Sequence, residues 1–289
     1  MGTPTSETDG LLLVDKPAGV TSHDVVAVVR RALRTKRAGH TGTLDPFATG
    51  LLIVLIGRGT RLMPYVEQEP KVYEATIRFG TETDTDDVTG GVTRSAPLPN
   101  DAAIDDAIAA LSGRIDQVPP AFSAKQVEGK RAYAAARRGA PLELKSVPVT
   151  VHAWHILARD RDSLTARITC GGGTYIRALA RDLGRLAGSA AHLASLRRTS
   201  AGPFSVDDAV TLDDVQRGAC TPLPLASAVP SLPVQRLAAD ELTRVVHGNA
   251  VLSRTAAPRV ALVGHDDSLI AVAEADGAEL RPRLVLRDG

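Results

Sequence analysis

Leu51-Leu52-Ile53-Val54-Leu55-Ile56 is an unbroken apolar run, and a chain folding in water has to bury it. Its length and branched side chains read as a strand inside a core. A buried strand anchors the loop in front of it, here Gly39-His40-Thr41-Gly42-Thr43-Leu44-Asp45-Pro46. Pro46 fixes its own φ and pushes Asp45 out of the helical region. Gly39 and Gly42 permit tight turns and the close approach of a ligand. The result is a carboxylate on a rigid loop with no metal-ligand set beside it, and such an Asp can serve as a nucleophile. Taken alone, Thr-Leu-Asp-Pro is also an ordinary turn sequence, in which Asp45 merely caps the turn.

Along the chain, residues 1–9 read as a disordered tail and Leu11 to Val14 as a short strand. Ser22 is placed to cap a helix through Leu33, with Val25, Val26, Val29 and Leu33 on one face. Val72 to Phe79 alternates as a strand, and Asp101 to Leu111 reads as a helix with Ile104, Ile108 and Leu111 inward. Lys130 to Arg138 suggests a short basic helix between glycines. Strands are expected near 149–157 and 163–170, then a helix to about Ala187. That helix carries Ile176, Leu179, Leu183 and Leu186 on one face and Arg177, Arg181 and Arg185 on another. Strands and helices without regular βαβ winding imply an α+β fold. Pro222, Pro224, Pro230 and Pro233 punctuate a linker, which sets a boundary near Val229-Pro230 and divides the chain into domains 10–229 and 230–289. The last segment reads as a helix at about 239–247 and strands at 258–263, 269–273 and 283–287.

A net charge of +1 excludes a strongly basic nucleic-acid binder in bulk, so the distribution matters more. Arg30, Arg31, Arg34, Lys36 and Arg37 form one basic cluster, Lys125, Lys130, Arg131, Arg137 and Arg138 a second, and Arg177, Arg181, Arg185, Arg197 and Arg198 a third. The acids gather elsewhere, at Glu82, Asp84, Asp86, Asp87, Asp101, Asp105 and Asp106. Each basic cluster alone fits a solvated helix face, but three bracketing the same motifs favour a polyanionic partner. Cys170 and Cys220 have no CxxC partner, so neither a disulfide scaffold nor a zinc module is indicated. The polar N-terminus has no signal core and no apolar run approaches a membrane span, which points to a reducing cytoplasm.

Several motifs together carry a resemblance. The Gly39–Asp45 loop with Pro46 and Ala48-Thr49-Gly50 resembles the catalytic motif of the TruB family of tRNA pseudouridine synthases. Leu13-Val14-Asp15-Lys16-Pro17-Ala18-Gly19-Val20-Thr21-Ser22 lies upstream of it. Lys71-Val72-Tyr73-Glu74, Thr81 to Asp87 and Gly173-Thr174-Tyr175-Ile176-Arg177 follow in family order. The resemblance implies a catalytic domain with a mixed, mostly antiparallel sheet flanked by helices, a thumb-like insertion at about 123–139, and a small C-terminal PUA-like RNA-binding domain. It implies isomerisation of uridine to pseudouridine at the T-loop position conventionally numbered 55, with the T-arm of tRNA as partner and the target base flipped out. An isomerisation needs no cofactor and no metal. A monomer without an obligate protein partner is expected.

The resemblance also assigns roles. Asp45 is the nucleophile, attacking either C1′ of the sugar or C6 of uracil, and Arg177 pairs with it. Tyr73 and Tyr175 pack against the extruded base, and Tyr73 also assists proton removal. His40 displaces and holds the flipped nucleotide, and Leu196 lines the uracil pocket. Lys16 supports the active-site loops, and Arg197 and Arg198 meet RNA phosphate. Without the motifs, both tyrosines and Leu196 read as core residues and His40 as a structural histidine. Arg61 departs from the pattern, since lysine is common there.

Competing motifs fail on spacing. Asp84, Asp86, Asp87 and Gly90 lack the calcium-loop pattern. His152 and His155 lack a carboxylate or cysteine partner, and Gly57-Arg58-Gly59-Thr60 lacks the P-loop ending. Two other functions fit parts of the chain: an RNA chaperone that only clamps tRNA, and a nucleoside glycosidase, which requires a second carboxylate beside Asp45. A guide-RNA-dependent member of the same family is disfavoured by the compact chain.

Overall fold

The computed structural model describes residues 8–123, the backbone of 126–127 and 130–131, and residues 144–286. The chain forms two compact units, one of Met1–Leu44, Leu52–Glu67 and Asp208–Gly289, the other of Asp45–Leu51 and Gln68–Asp207.

The second unit is built on antiparallel strands in the order Ala191–Ala201, Lys71–Phe79, Ser163–Cys170, Val147–Arg159, Gly113–Gln117. Lys71–Phe79 alternates inward residues Tyr73, Ala75, Ile77 and Phe79 with more exposed ones, the two-residue period of a half-covered strand. The helices Asp101–Ala110 and Ile176–Leu186 pack on each other, and the latter also covers Ala191–Ala201. The mostly antiparallel α+β architecture is therefore as expected. Ala191–Ala201, the strand beside Lys71–Phe79, is the main element the sequence hid: AHLASLRRTSA has no apolar run and its arginines look exposed. Its pairing comes from the neighbours on both sides, a tertiary effect that overrides local pattern.

In the first unit, the strand Gly10–Lys16 pairs in parallel with Val210–Thr211, and Ala38–Thr41 pairs antiparallel with Ile53–Ile56 of the Thr49–Ile56 strand. Val25, Val26 and Val29 of the helix Ser22–Ala32 pack on Leu12, Val14, Leu52, Val54 and Ile56. The helix is capped by Thr21 instead of Ser22. Thr21 accepts from the Asp24 N–H at 3.1 Å and the Asp24 carboxylate accepts from the Thr21 N–H at 2.8 Å, a reciprocal box that Ser22 cannot form one position later. A five-stranded sheet, ordered Val234–Arg236, Arg259–Val263, Leu269–Asp276, Glu279–Val285, Val251–Leu252, closes over the helix Ala239–Val246 on a core of Leu237, Val245, Val260, Leu262 and Ile270. Arg61 donates to the Val285 carbonyl at 2.8 Å.

Most of the thumb-like segment lies outside the described residues. Gln126–Val127 and Lys130–Arg131 pair as two-residue strands, where a helix starting at Lys130 was expected. No described helix is long and apolar enough to cross a membrane.

Thr49 and Gly50 join the second unit's sheet in parallel against Arg197 and Arg198. Gly50 has φ +99°, and a Cβ there would lie 2.2 Å from the Arg198 carbonyl oxygen. Gly50→Ala is expected to destabilise the fold by at least about 2 kcal/mol, read as a lowered Tm, through strain plus backbone overlap. Gly91→Ala, where nothing lies within 4 Å, should leave Tm nearly unchanged. Equal melting of the two variants contradicts this packing.

Candidate active site

Asp45 lies in a turn closed by the Ala48 N–H on the Asp45 carbonyl, at 3.1 Å. The preceding residue is fixed by a buried hydroxyl. Ser22 Oγ accepts from the Leu44 N–H at 2.9 Å and donates to the Leu44 carbonyl at 3.1 Å. The Asp45 carboxylate, 35% exposed, meets the Arg177 guanidinium, 5% exposed, through two nitrogens. Arg177 Nη2 donates to Oδ1 at 3.0 Å, and Nε lies 2.9 Å from Oδ2. Nη2 makes a directed, charge-assisted hydrogen bond and Nε adds a close charge contact without hydrogen-bond geometry, so the guanidinium both orients and neutralises the anion. Arg177 is itself held by the carbonyls of Thr85 and Phe122, each at 2.9 Å, and by Asp87 Oδ2 at 3.4 Å. The buried cation fixes an acid that stays partly exposed to solvent.

Arg177 heads a ladder. Arg181 Nη1 pairs with Asp86 at 2.8 Å and Arg185 Nη2 with Glu82 at 2.6 Å. Successive turns of the helix thus meet Asp87, Asp86 and Glu82 in reverse chain order. Arg177, Arg181 and Arg185 of the third basic cluster, and Asp87, Asp86 and Glu82 of the acids read as lying elsewhere, are the two halves of one network, so this arginine face serves the protein rather than a polyanion. The acidic turn needs no cation to satisfy it. Asp87 Oδ1 accepts from the hydroxyls of Thr85 and Thr89 at 2.8 and 2.5 Å and from the Thr89 N–H at 2.9 Å. Asp84 accepts from the Gly91 N–H at 2.9 Å.

Strand register assembles a second group. Tyr73 lies opposite Arg198 and Ala75 opposite Leu196, without a bulge between these pairs. Tyr73, Ala75, Leu196 and Arg198 therefore share one face of the sheet, and Glu74 and Arg197 the other. Tyr73 is 7% exposed. Burial pushes its phenol pKa up, and the Asp45 charge adds to the rise while the Arg198 guanidinium opposes it. Its resting form is the neutral phenol. Arg198 corrects an expectation. It was read as meeting phosphate, but it is 2% exposed and its Nε donates to the Leu51 carbonyl at 2.8 Å. A charge so fully enclosed acts on its neighbours inside the sheet. Arg197 is half-buried on the opposite face from Tyr73.

Tyr175 is half-buried at the N-terminus of the Ile176–Leu186 helix. Lys16 and His40 belong to the first unit. Lys16 is wholly buried, and its ammonium donates to the carbonyls of Pro17 and Val20 at 2.9 and 2.8 Å, tying down the turn after its strand. His40 is half-buried, its ring edge-on to His23 with centroids 5.3 Å apart. Sequence reasoning gave no site role to Asp87 or Gln117 and read Ser22 only as a helix cap. Asp87 stood inside a family motif, but three acids in four residues left its direction open. Gln117 is a common polar residue with no distinguishing local signal.

Residues 30–176 match the TruB family pseudouridylate synthase (N terminal domain), and residues 177–221 match the tRNA pseudouridylate synthase B C-terminal domain. The chain belongs to the TruB family. Among its relatives, a tRNA pseudouridine synthase B from Thermobifida fusca is 47% identical, over 96% of this chain and 98% of that protein. One from Corynebacterium aurimucosum is 44% identical, over 97% of each. A crystal structure of a Cbf5-Nop10-Gar1 complex contains a chain with the same fold, at TM-score 0.71 and 24% identity, covering 100% of this chain and 92% of that one. In this TruB-family chain, Asp45, Tyr73 and Tyr175 fall in the first matched domain, and Arg177, Leu196, Arg197 and Arg198 in the second.

Burial pushes the Asp86 carboxyl up to about 6 despite its pairing with Arg181. An acid whose pKa is raised on folding favours the folded state at low pH, and that contribution is lost as pH rises from the ordinary Asp value through about 6. Asp86 has φ +60°, which asparagine tolerates. Asp86→Asn is therefore expected to gain stability relative to the parent as pH rises across this window, followed by thermal unfolding at each pH. Parallel pH curves for the two proteins contradict this assignment.

Proposed function

We propose that this chain modifies the T-loop uridine conventionally numbered 55, with Asp45 as covalent nucleophile. Isomerisation of uridine to pseudouridine in tRNA follows from its family. The supporting observation for the finer reading is the Arg177–Asp45 ion pair, in which a buried cation holds a partly exposed carboxylate. Recognition would rest on the folded T-arm, with the target base flipped out at a cost of a few kcal/mol, offset by stacking and phosphate contacts.

The reaction cleaves the N1–C1′ bond, turns the uracil and joins C5 to C1′. Its atoms balance without oxidant or energy source. The Asp45 carboxylate supplies the temporary bond, at C1′ or at C6, and is released when the product forms. Removal of the C5 proton restores the ring, and N1 takes up a proton. Tyr73 stacks on the base as a neutral phenol. For its part in proton removal, the Arg198 guanidinium is the group that favours the phenolate across the strands. Tyr175 gives the second aromatic surface, Leu196 the apolar wall and His40 a hold on the displaced nucleotide, while Arg197 meets phosphate. The segment 230–289 acts as a PUA-like RNA-binding domain on a catalytic domain of 10–229, in a cytoplasmic monomer that needs no partner protein.

Asp87 invites the glycosidase alternative, because it supplies a second carboxylate on the same arginine. One of its oxygens already accepts three hydrogen bonds and it is buried, so it is not free to activate water. The test is tritium release from tRNA carrying 5-³H-uridine, with excess EDTA present. The wild type should release tritium without free uracil. Asp45→Asn should lose at least about a thousandfold in rate while still binding tRNA. A transcript with cytidine at position 55 should release nothing above background. Activity retained in Asp45→Asn removes this residue from the chemistry, free uracil indicates hydrolysis, and release from the cytidine transcript shifts the target elsewhere.

A further inference from the structure

Gln117 ends the Gly113–Gln117 strand, and its side chain is 1% exposed. Its carboxamide grips the backbone of Tyr175 at both polar atoms. The Tyr175 N–H donates to Gln117 Oε1 at 2.8 Å, and Gln117 Nε2 donates to the Tyr175 carbonyl at 3.1 Å. Only one orientation of the amide satisfies both bonds, since the reverse would set donor against donor. No other common side chain of this length carries a donor and an acceptor side by side.

Little in the local sequence does this work. Tyr175 opens its helix with no side-chain cap, and of the four residues before it, Gly171 to Thr174, only Thr174 carries a side chain that could fix the entry direction. The Tyr175 carbonyl also accepts the first helical bond, from the Leu179 N–H at 3.1 Å. The grip therefore sets the Cα–Cβ direction of Tyr175. We propose that Gln117 is a positioning residue that aims the Tyr175 ring at the target base. This rests on the reading of Tyr175 as a base-stacking side chain.

The variants are Gln117→Met, which keeps the volume and removes both bonds, and Gln117→Glu, which keeps the acceptor and turns an oxygen toward the Tyr175 carbonyl. Single-turnover tritium release and tRNA Kd are measured at a temperature well below the melting point of each variant. Both variants should fall about tenfold to a hundredfold in rate, the scale of a roughly 1 Å misplacement, with Kd little changed. In a Tyr175→Leu background, Gln117→Met should add no more than about twofold, because its target is already gone. Wild-type rates in both variants, a parallel loss of tRNA affinity, or a full additive loss in the Tyr175→Leu background each overturn the proposal. If Tyr175→Leu alone turns over at the wild-type rate, the stacking reading fails, an outcome separable from normal Gln117 variants beside an impaired Tyr175→Leu.

Discussion

The buried guanidinium of Arg177 is the constraint on which the site depends. Its donors reach Asp45, the Thr85–Asp87 turn and Phe122, three segments far apart in the chain. One nitrogen, Nη2, serves both the Asp45 carboxylate and the Phe122 carbonyl. The acid and the segment after Pro119-Pro120 are therefore located by the same atom. Away from water, a charge-assisted pairing of this kind is worth more than on a surface, and losing Arg177 would leave both Asp45 and the buried Asp87 without this cation. The cation is enclosed by protein while the anion stays partly exposed to solvent.

The arginine ladder shows why the distribution of charge matters more than its sum. Arg177, Arg181 and Arg185 meet Asp87, Asp86 and Glu82, so three charges of each sign cancel and the net charge of the remainder is unchanged. Arg31, Arg34 and Lys36 stay exposed in the first unit, a local excess of positive charge on a nearly neutral chain.

The parts legible in the sequence were those whose chemistry is local. Pro46 and the apolar run after it mark Asp45 as a residue on an anchored loop, the accompanying family motifs single it out as the nucleophile, and Val25, Val26 and Val29 mark a helix face. What stayed hidden depends on long-range pairing. Arg198 looks like a surface charge, as arginines usually are. Register beside Tyr73 and the carbonyl of Leu51 bury it. Asp87 could not be told from Asp84 and Asp86, because the turn that aims each one is set by Thr85, Thr89 and a left-handed Asp86. Ser22 was read as a cap, whereas the box between Thr21 and Asp24 takes that role and leaves its hydroxyl to hold Leu44. In each case the residue type was informative and its partner was not.

The most direct test is a crystal structure of the chain with a T-arm RNA that carries an unreactive uridine analogue at the target position. The account predicts the base outside the helical stack, its ring against Tyr73, with an Asp45 oxygen within about 3.5 Å of C1′ or C6 and both Arg177 contacts to Asp45 intact. A target base still stacked in the loop, or an Asp45 carboxylate turned away from both the nucleotide and Arg177, would contradict it.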